Sequence, residues 1–206
     1  ISIMSGTVTL REIFDEDLED VYYFLSENFN PGVTLDVWNL AFNRSWMPEK
    51  PNNGFMLLVN NTVVGVLCAL YAQRQTQEGI RNVCNTSTWF VLDAYRSHSL
   101  KLMIAILGQK GFFFTSLSAS PEVYELHRHL KFRSYVTTLV AIPNLPKLNY
   151  FSKKLEILID PESTSKCLDG HIKQISIDHM DIPTVHQVVF RTSDETLLVI
   201  FDIRAV

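Results

Sequence analysis

The stretch Thr88-Trp89-Phe90-Val91-Leu92-Asp93-Ala94-Tyr95-Arg96-Ser97-His98-Ser99-Leu100-Lys101 decides the architecture. Its first half is apolar and suits a strand running from about Val83 to Leu92. From Ser99 to Leu107 the apolar side chains Leu100, Met103, Ile104 and Leu107 fall on one side of a helix. Phe112 to Leu117 is again an apolar strand, so a strand, a helix and a strand follow one another closely. That unit requires a parallel or crossover connection.

Upstream, Thr7 to Ile13 reads as a strand, and Asp15 or Asp17 can cap a helix carrying Leu18, Val21, Tyr22, Leu25 and Phe29. Asn30-Pro31-Gly32 stops it. A second helix spans about Thr34 to Trp46. Phe55 to Val59 and Val63 to Tyr71 then form a hairpin about Asn60-Asn61-Thr62. Downstream, Ser120 caps and Pro121 opens a helix whose inward stripe is Val123, Leu126, His127 and Leu130. Tyr135 to Ile142 is a further strand. The middle strands pair as an antiparallel meander, so the fold class is α+β or mixed α/β: a central mixed sheet flanked by helices on both faces.

Beyond Ile142 the pattern changes. Leu155 to Ile159 reads as a short strand, Asp160 to Ser165 as a polar linker, and His171 to Ile177 as a strand. A helix near Asp181 to Val189 and a strand over Leu197 to Ile203 follow. This order echoes Thr7 to Leu58, and residues 146–206 are expected to be an extension that opens a second, related half. The first domain covers 1–145.

The chain of 206 residues is 47% hydrophobic and only 19% charged, which excludes a disordered tail. A net charge of −4 argues against broad attraction to nucleic acid or a membrane surface. Cys68, Cys84 and Cys167 are widely spaced, which points away from a disulfide framework or zinc site and towards a reducing compartment. The opening Ile1-Ser2-Ile3-Met4 lacks the features of a signal peptide. A cytoplasmic protein is the expectation, and a homodimer is compatible with it.

Val91 to Lys101 resembles the cofactor loop of the GNAT superfamily of acyl-CoA-dependent N-acyltransferases, Val-x-Pro-x-Tyr-Arg-Gly-x-Gly-x-Gly/Ala. Tyr95 and Arg96 match; Ser97 and Ser99 replace two glycines and Lys101 the last small residue. Ser120 to Phe132 is similar to that family's second signature, Asn-x-x-Ala-x-x-Leu-Tyr-x-x-Leu-Gly-Phe. Leu126, Leu130 and Phe132 align there, while Ser120, His127 and Lys131 replace the asparagine, tyrosine and glycine. With matching element order, the resemblance covers about Val8 to Val140.

The resemblance implies acetyl-CoA as cofactor. Its pyrophosphate would sit at Arg96, Ser97, His98, Ser99, Leu100 and Lys101, its pantetheine arm along Phe90 and Val91, with Ser120 nearby. Unpaired N–H groups at a helix start and the charges of Arg96 and Lys101 suit such an anion. An ordinary strand-to-helix turn would carry the same charges. A small-molecule amine, an amino sugar for instance, would attack the thioester directly. The leaving thiolate would take its proton from His127, or from Tyr124 one turn earlier, both of which equally suit core packing. Asp93 or Glu78 is the candidate base, although either also suits a solvated turn. Trp38 and Trp46 could floor an acceptor pocket or simply pack. Cys84 is expected to be a buried strand cysteine. A catalytically degenerate domain that binds coenzyme A or a partner protein fits the lost glycines too, and a structural or dimerising role is the third reading.

Overall fold

A computed structural model describes residues 6–43, 47, 49–135, 155–182 and 184–202. The chain divides into two compact units, Ile1–Tyr135 and Val136–Val206. The boundary expected at 145/146, all but the first residue of the strand over 135–142, and Trp46 fall outside the described residues.

In the first unit, β1 (Thr9–Glu12), β2 (Gly54–Val59), β3 (Thr62–Thr76), β4 (Gly79–Val91) and β5 (Phe112–Thr115) lie side by side in chain order. The first four pair antiparallel and β4 pairs parallel with β5. The β2–β3 hairpin turns on Asn60 and Asn61, both with positive φ, as the Asn-Asn pair predicts. The sheet runs further than its sequence suggests: β3 and β4 continue to a second hairpin at Thr76 and Gly79, where no strong turn signal stands.

Two apolar cores cover the two faces. On one, α1 (Leu18–Asn28) and α2 (Leu35–Asn43) bury Leu18, Val21, Phe24, Leu25 and Phe42 against Met56, Leu58 and Val66. Phe24 takes the place expected of Phe29, which is largely exposed. On the other, α3 (Ser99–Leu107) buries Leu102, Met103 and Ile106 on Leu57, Val64 and Leu67. Here the expected stripe is corrected: Leu100 and Ile104 face outward. The helix is apolar almost all round, so periodicity could not fix its buried side.

After β5 comes α4 (Pro121–His129), capped by Ser120, whose Oγ accepts from the Val123 N–H. It ends with Phe132 N–H donating to His127 O at 3.0 Å across Lys131, which is held at φ 65°. That is the left-handed cap position glycine favours. Lys131→Gly is therefore expected to stabilise the unit by about 1 kcal/mol, since only the side chain makes this backbone costly. Urea unfolding checks it; an unchanged midpoint would mean that Lys131 adopts another backbone conformation.

The second unit holds β6 (Glu156–Leu158), α5 (Pro161–Cys167), α6 (Gly170–His179), β7 (Val185–Arg191) and β8 (Thr196–Asp202). Its sheet has the order β6-β7-β8, all antiparallel. This repeats the β–α–α–β–β opening of the first unit. The echo expected from the sequence is present, but on different segments. Residues 161–167 are helical, not a linker: Asp160 Oδ2 accepts from Ser163 N–H at 2.8 Å, ahead of Pro161. Residues 170–179 are a helix, and Val185, Val188, Val189 and Phe190 build a strand where a helix was expected. Their β-branched and aromatic side chains suit a sheet.

Candidate functional site

The end of β4 is where the sheet opens. Pairing with β5 stops at Asn85–Thr115, while pairing with β3 continues to Gly65–Val91. Opposite the opening, Leu67 faces Trp89 and Ala69 faces Thr86, so Ser87 and Thr88 together stand against the single residue Cys68. Such a bulge bends the strand that carries the extra residue. Leu92 N–H donates to Val64 O at 3.0 Å. Alternation along the strand then directs the N–H and C=O of Trp89 and Val91 away from β3 and towards the side that β5 has left.

Beyond Val91 the chain enters a 3-10 turn over Asp93–His98 that runs directly into α3. Tyr95 N–H donates to Leu92 O, and Ser99 N–H to Arg96 O. The expectation of free amides just past Arg96 is therefore corrected: winding has engaged the Ser99 N–H. Serines at 97 and 99 allow this helical path, whereas glycines would let the loop stay open. His98 leaves its Nδ1 buried and without a partner among the described residues. Arg96 pairs with Asp93 at 2.8 Å, and both side chains are largely exposed. Lys101 and Ser97 are exposed as well.

No protein-family model matches the chain, and no curated protein does. Solved structures do resemble it. An acetyltransferase from Trypanosoma brucei is 18% identical over 66% of this chain and 99% of that one, with a TM-score of 0.48. An aminoglycoside N-acetyltransferase in complex with CoA is 15% identical over 70% and 100%, also at 0.48. Glucosamine-6-phosphate N-acetyltransferase from Arabidopsis thaliana is 10% identical over 67% and 99%, again at 0.48. The first unit has the mixed sheet with helices on both faces that the sequence predicts.

Within this unit, His127 lies on the inner side of α4, only 5% exposed and stacked on Phe132 at 4.6 Å between ring centroids. Its Nε2 is buried and has no hydrogen-bond partner among the described residues. Burial holds its pKa below the ordinary 6.5. Tyr124 is half exposed, one turn earlier. The Ser120 hydroxyl, besides capping, donates to Glu122 Oε2 at 2.8 Å.

Phe90 turns to the α1–α2 face, its ring 5.8 Å from Phe24 and 5.6 Å from Phe29. Trp89 and Val91 turn to the α3 face. Trp89 Nε1 is a further buried donor without a partner among the described residues, and sequence reasoning assigned this indole no role. Its position just before the motif was the available signal. Trp38 packs on the α1–α2 core, stacked with Phe42, and its Nε1 also has no partner among the described residues. Cys84 is fully buried, its thiol pushed up to about 11 by burial, as a structural cysteine would be.

Glu78 is set aside as a base. It sits at the β3–β4 hairpin, salt-bridged to Arg81 at 2.8 Å. With 13 residues in β4, it lies roughly 40 Å from the Val91 end at ~3.3 Å per residue.

The burial of His127 has a consequence for stability. The folded state disfavours the imidazolium, whereas the unfolded chain takes up a proton near 6.5. The stabilisation is complete above that pH and is lost as pH falls below it. His127→Phe should flatten the decline of Tm between about pH 7 and pH 5. Parallel profiles for the two proteins would mean that the ring is not buried in solution.

Proposed function

We propose that the first unit is an acyl-CoA-dependent N-acyltransferase, moving an acetyl group to the amine of a small molecule, with an amino sugar as the substrate class to test first. The observation that carries this reading is the parting of β4 from β5 beyond Asn85, beside the loop that the sequence motif marks. The main-chain groups of Trp89 and Val91 that point away from β3, and the His98 Nδ1 that has no partner among the described residues, fit a ligand with amide, thioester and phosphate groups. When bound, acetyl-CoA supplies an activated thioester carbon.

The chain's own groups then have distinct tasks. Main-chain N–H at Trp89 or Val91 stabilises negative charge on the carbonyl oxygen as the amine attacks. His127 Nε2 holds the proton that goes to the leaving sulfur, with Tyr124 as the other candidate. Because burial disfavours the imidazolium, a His127-dependent rate rises as pH falls towards its depressed pKa. Asp93, exposed and paired with Arg96, acts on the amine through solvent if it is the base. Arg96 and Lys101, both exposed, supply positive charge for the pyrophosphate.

One observation favours a second reading, a domain that binds coenzyme A without turnover. The wound loop with its engaged Ser99 N–H offers fewer donors to a pyrophosphate than an open loop does. Thermal shift and thiol release separate the two. Acetyl-CoA should raise Tm and free pantetheine much less, with Arg96→Ala and Lys101→Ala each weakening the shift. Replacing Ser97 and Ser99 together by glycine should tighten acetyl-CoA binding by opening the loop. Equal shifts from acetyl-CoA and pantetheine, or none, would remove the cofactor loop from the proposal. Binding with no thiol release across amino sugars and polyamines would select the second reading.

A further inference from the structure

The two faces of the three-stranded sheet in the second unit differ. On one, Gln187 Nε2 donates to Ser176 O of α6 at 2.8 Å and Val189 is fully buried, so helix covers it. Alternation along the strands fixes the other face. There Phe190 lies between Ile157 and Leu197, Val188 beside Val199, and His186 beside Phe201. Six of these seven side chains are apolar and the seventh is an imidazole, so the face carries no carboxylate, ammonium or guanidinium group. Yet Ile157 is 56% exposed, Leu197 59% and Phe201 46%. Scattered apolar side chains are ordinary at a surface, whereas a contiguous patch across three strands marks a place of contact.

The edge strand β8 is built for burial on both sides. Leu197-Leu198-Val199-Ile200-Phe201 is an unbroken apolar run, not the alternation of a sheet with one wet face. The first unit shows the same need satisfied: α1 and α2 close one side of its sheet, and α3 closes the other with Leu102, Met103 and Ile106 fully buried. The open face of the second unit lacks such a cover, and its chemistry selects one. Two copies of an uncharged face meet with no like charges opposed and no ion taken out of water, and stacked sheets interdigitate their side chains about 10 Å apart. A charged partner would find no counter-charge there. Covering the patch removes on the order of 500 Å² per copy, about 1,000 Å² per pair, which reaches the lower end of specific interfaces.

We propose that two copies of the chain associate through this face, second unit to second unit, about a two-fold axis. The contact is isologous, so Ile157, Leu197 and Phe201 of each copy serve both, and assembly closes at two. An interface of this size makes a reversible dimer, with Kd on the order of 10 µM. It is independent of the acyltransferase reading of the first unit.

Sedimentation equilibrium of the full chain tests this, over roughly 1 to 500 µM so as to bracket that Kd. The mass should rise from one chain to two. Leu197→Glu and Phe201→Glu should each raise Kd at least about tenfold, because each sets a carboxylate in the dry contact. Ile104→Glu, at a comparably exposed apolar position of α3, should leave it unchanged. A dilution series of the unaltered chain needs no variant, and its amide shifts should centre on β7 and β8. A chain that stays single throughout, or dilution shifts confined to the first unit, would overturn the proposal. So would a dimer that both second-unit variants leave intact, as one formed by pairing of β8 edges would be, or one that Ile104→Glu weakens equally. A single chain in which Leu197 and Phe201 are shielded from a dissolved paramagnetic probe would give the face an intramolecular cover instead, and overturns it too.

Discussion

Gly54→Ala is expected to lower the stability of the first unit by about 4 kcal/mol, on the order of 15 °C in Tm. Gly54 has φ +116°, and a Cβ there would lie 2.1 Å from Leu67 O, 2.8 Å from Cys68 Cα and 3.0 Å from Ala69 N. All three are main-chain atoms in the middle of a sheet, so none can swing aside as a side-chain end would. Backbone strain alone costs about 1–3 kcal/mol, and the collision adds a comparable amount. Gly79 separates the two contributions. Its φ is +107°, yet an added Cβ meets nothing within 4 Å. Gly79→Ala should therefore show the strain alone, about 1–3 kcal/mol. Similar Tm losses for the two variants would mean that β2 and β3 approach less closely at Gly54.

The collision falls at an informative place. Gly54 pairs with Cys68, the residue against which Ser87 and Thr88 bulge from β4. The bare backbone of Gly54 lets β2 lie close behind the point where β4 bends away from β5. A position chosen for steric reasons in one strand thus serves the opening two strands away. None of this is legible in the sequence, because a bulge is a product of long-range pairing and leaves no local pattern.

What was legible depended on local chemistry. Asn60-Asn61 fixed a two-residue hairpin because both residues tolerate positive φ, and Ser120-Pro121 marked a helix start by capping. The same chemistry at Asp160-Pro161 would have found α5, but the polar Glu162-Ser163-Thr164-Ser165 that follows has no apolar stripe to draw attention to it. Segment 185–189 was misassigned because an apolar run so short suits either period. Among the candidate site residues, the inward placement of His127 followed from helical spacing. The loop did not follow, since whether serines at 97 and 99 wind or stay open depends on packing around them. The unpartnered indole of Trp89 could not be foreseen, for hydrogen-bond satisfaction exists only in three dimensions.

The second large effect is expected at Asn52, which is 2% exposed. Its Oδ1 accepts from Gly54 N–H at 2.9 Å and from the Tyr71 hydroxyl at 2.7 Å, while its Nδ2 donates to Glu12 Oε1 at 3.0 Å. Asn52→Leu keeps the volume but leaves the Gly54 N–H buried and alone, so it should cost about 3 kcal/mol. Tyr71→Phe should cost only about 1 kcal/mol, because Asn52 Oδ1 keeps the Gly54 N–H and no main-chain donor is left alone. Tyr71 also exchanges a hydrogen bond with Gln109, at 2.9 Å from its Nε2, so a double-mutant cycle is needed to isolate the bond to Asn52. A coupling of about 1 kcal/mol is expected, and additive losses would show that Asn52 acts through Gly54 and Glu12 without Tyr71. The neighbouring Asn53 main chain completes the prop: its N–H donates to Ile13 O, and its carbonyl accepts from Ala69 N–H at 2.9 Å, beside the irregularity. Loosening this loop should relax the bulge as well as the core. Asn52→Leu, measured below its own Tm, should therefore weaken the acetyl-CoA response more than Tyr71→Phe does. An undiminished response would detach the opening between β4 and β5 from the loop behind it, leaving α3 and its packing on Leu57, Val64 and Leu67 as what holds the strands apart.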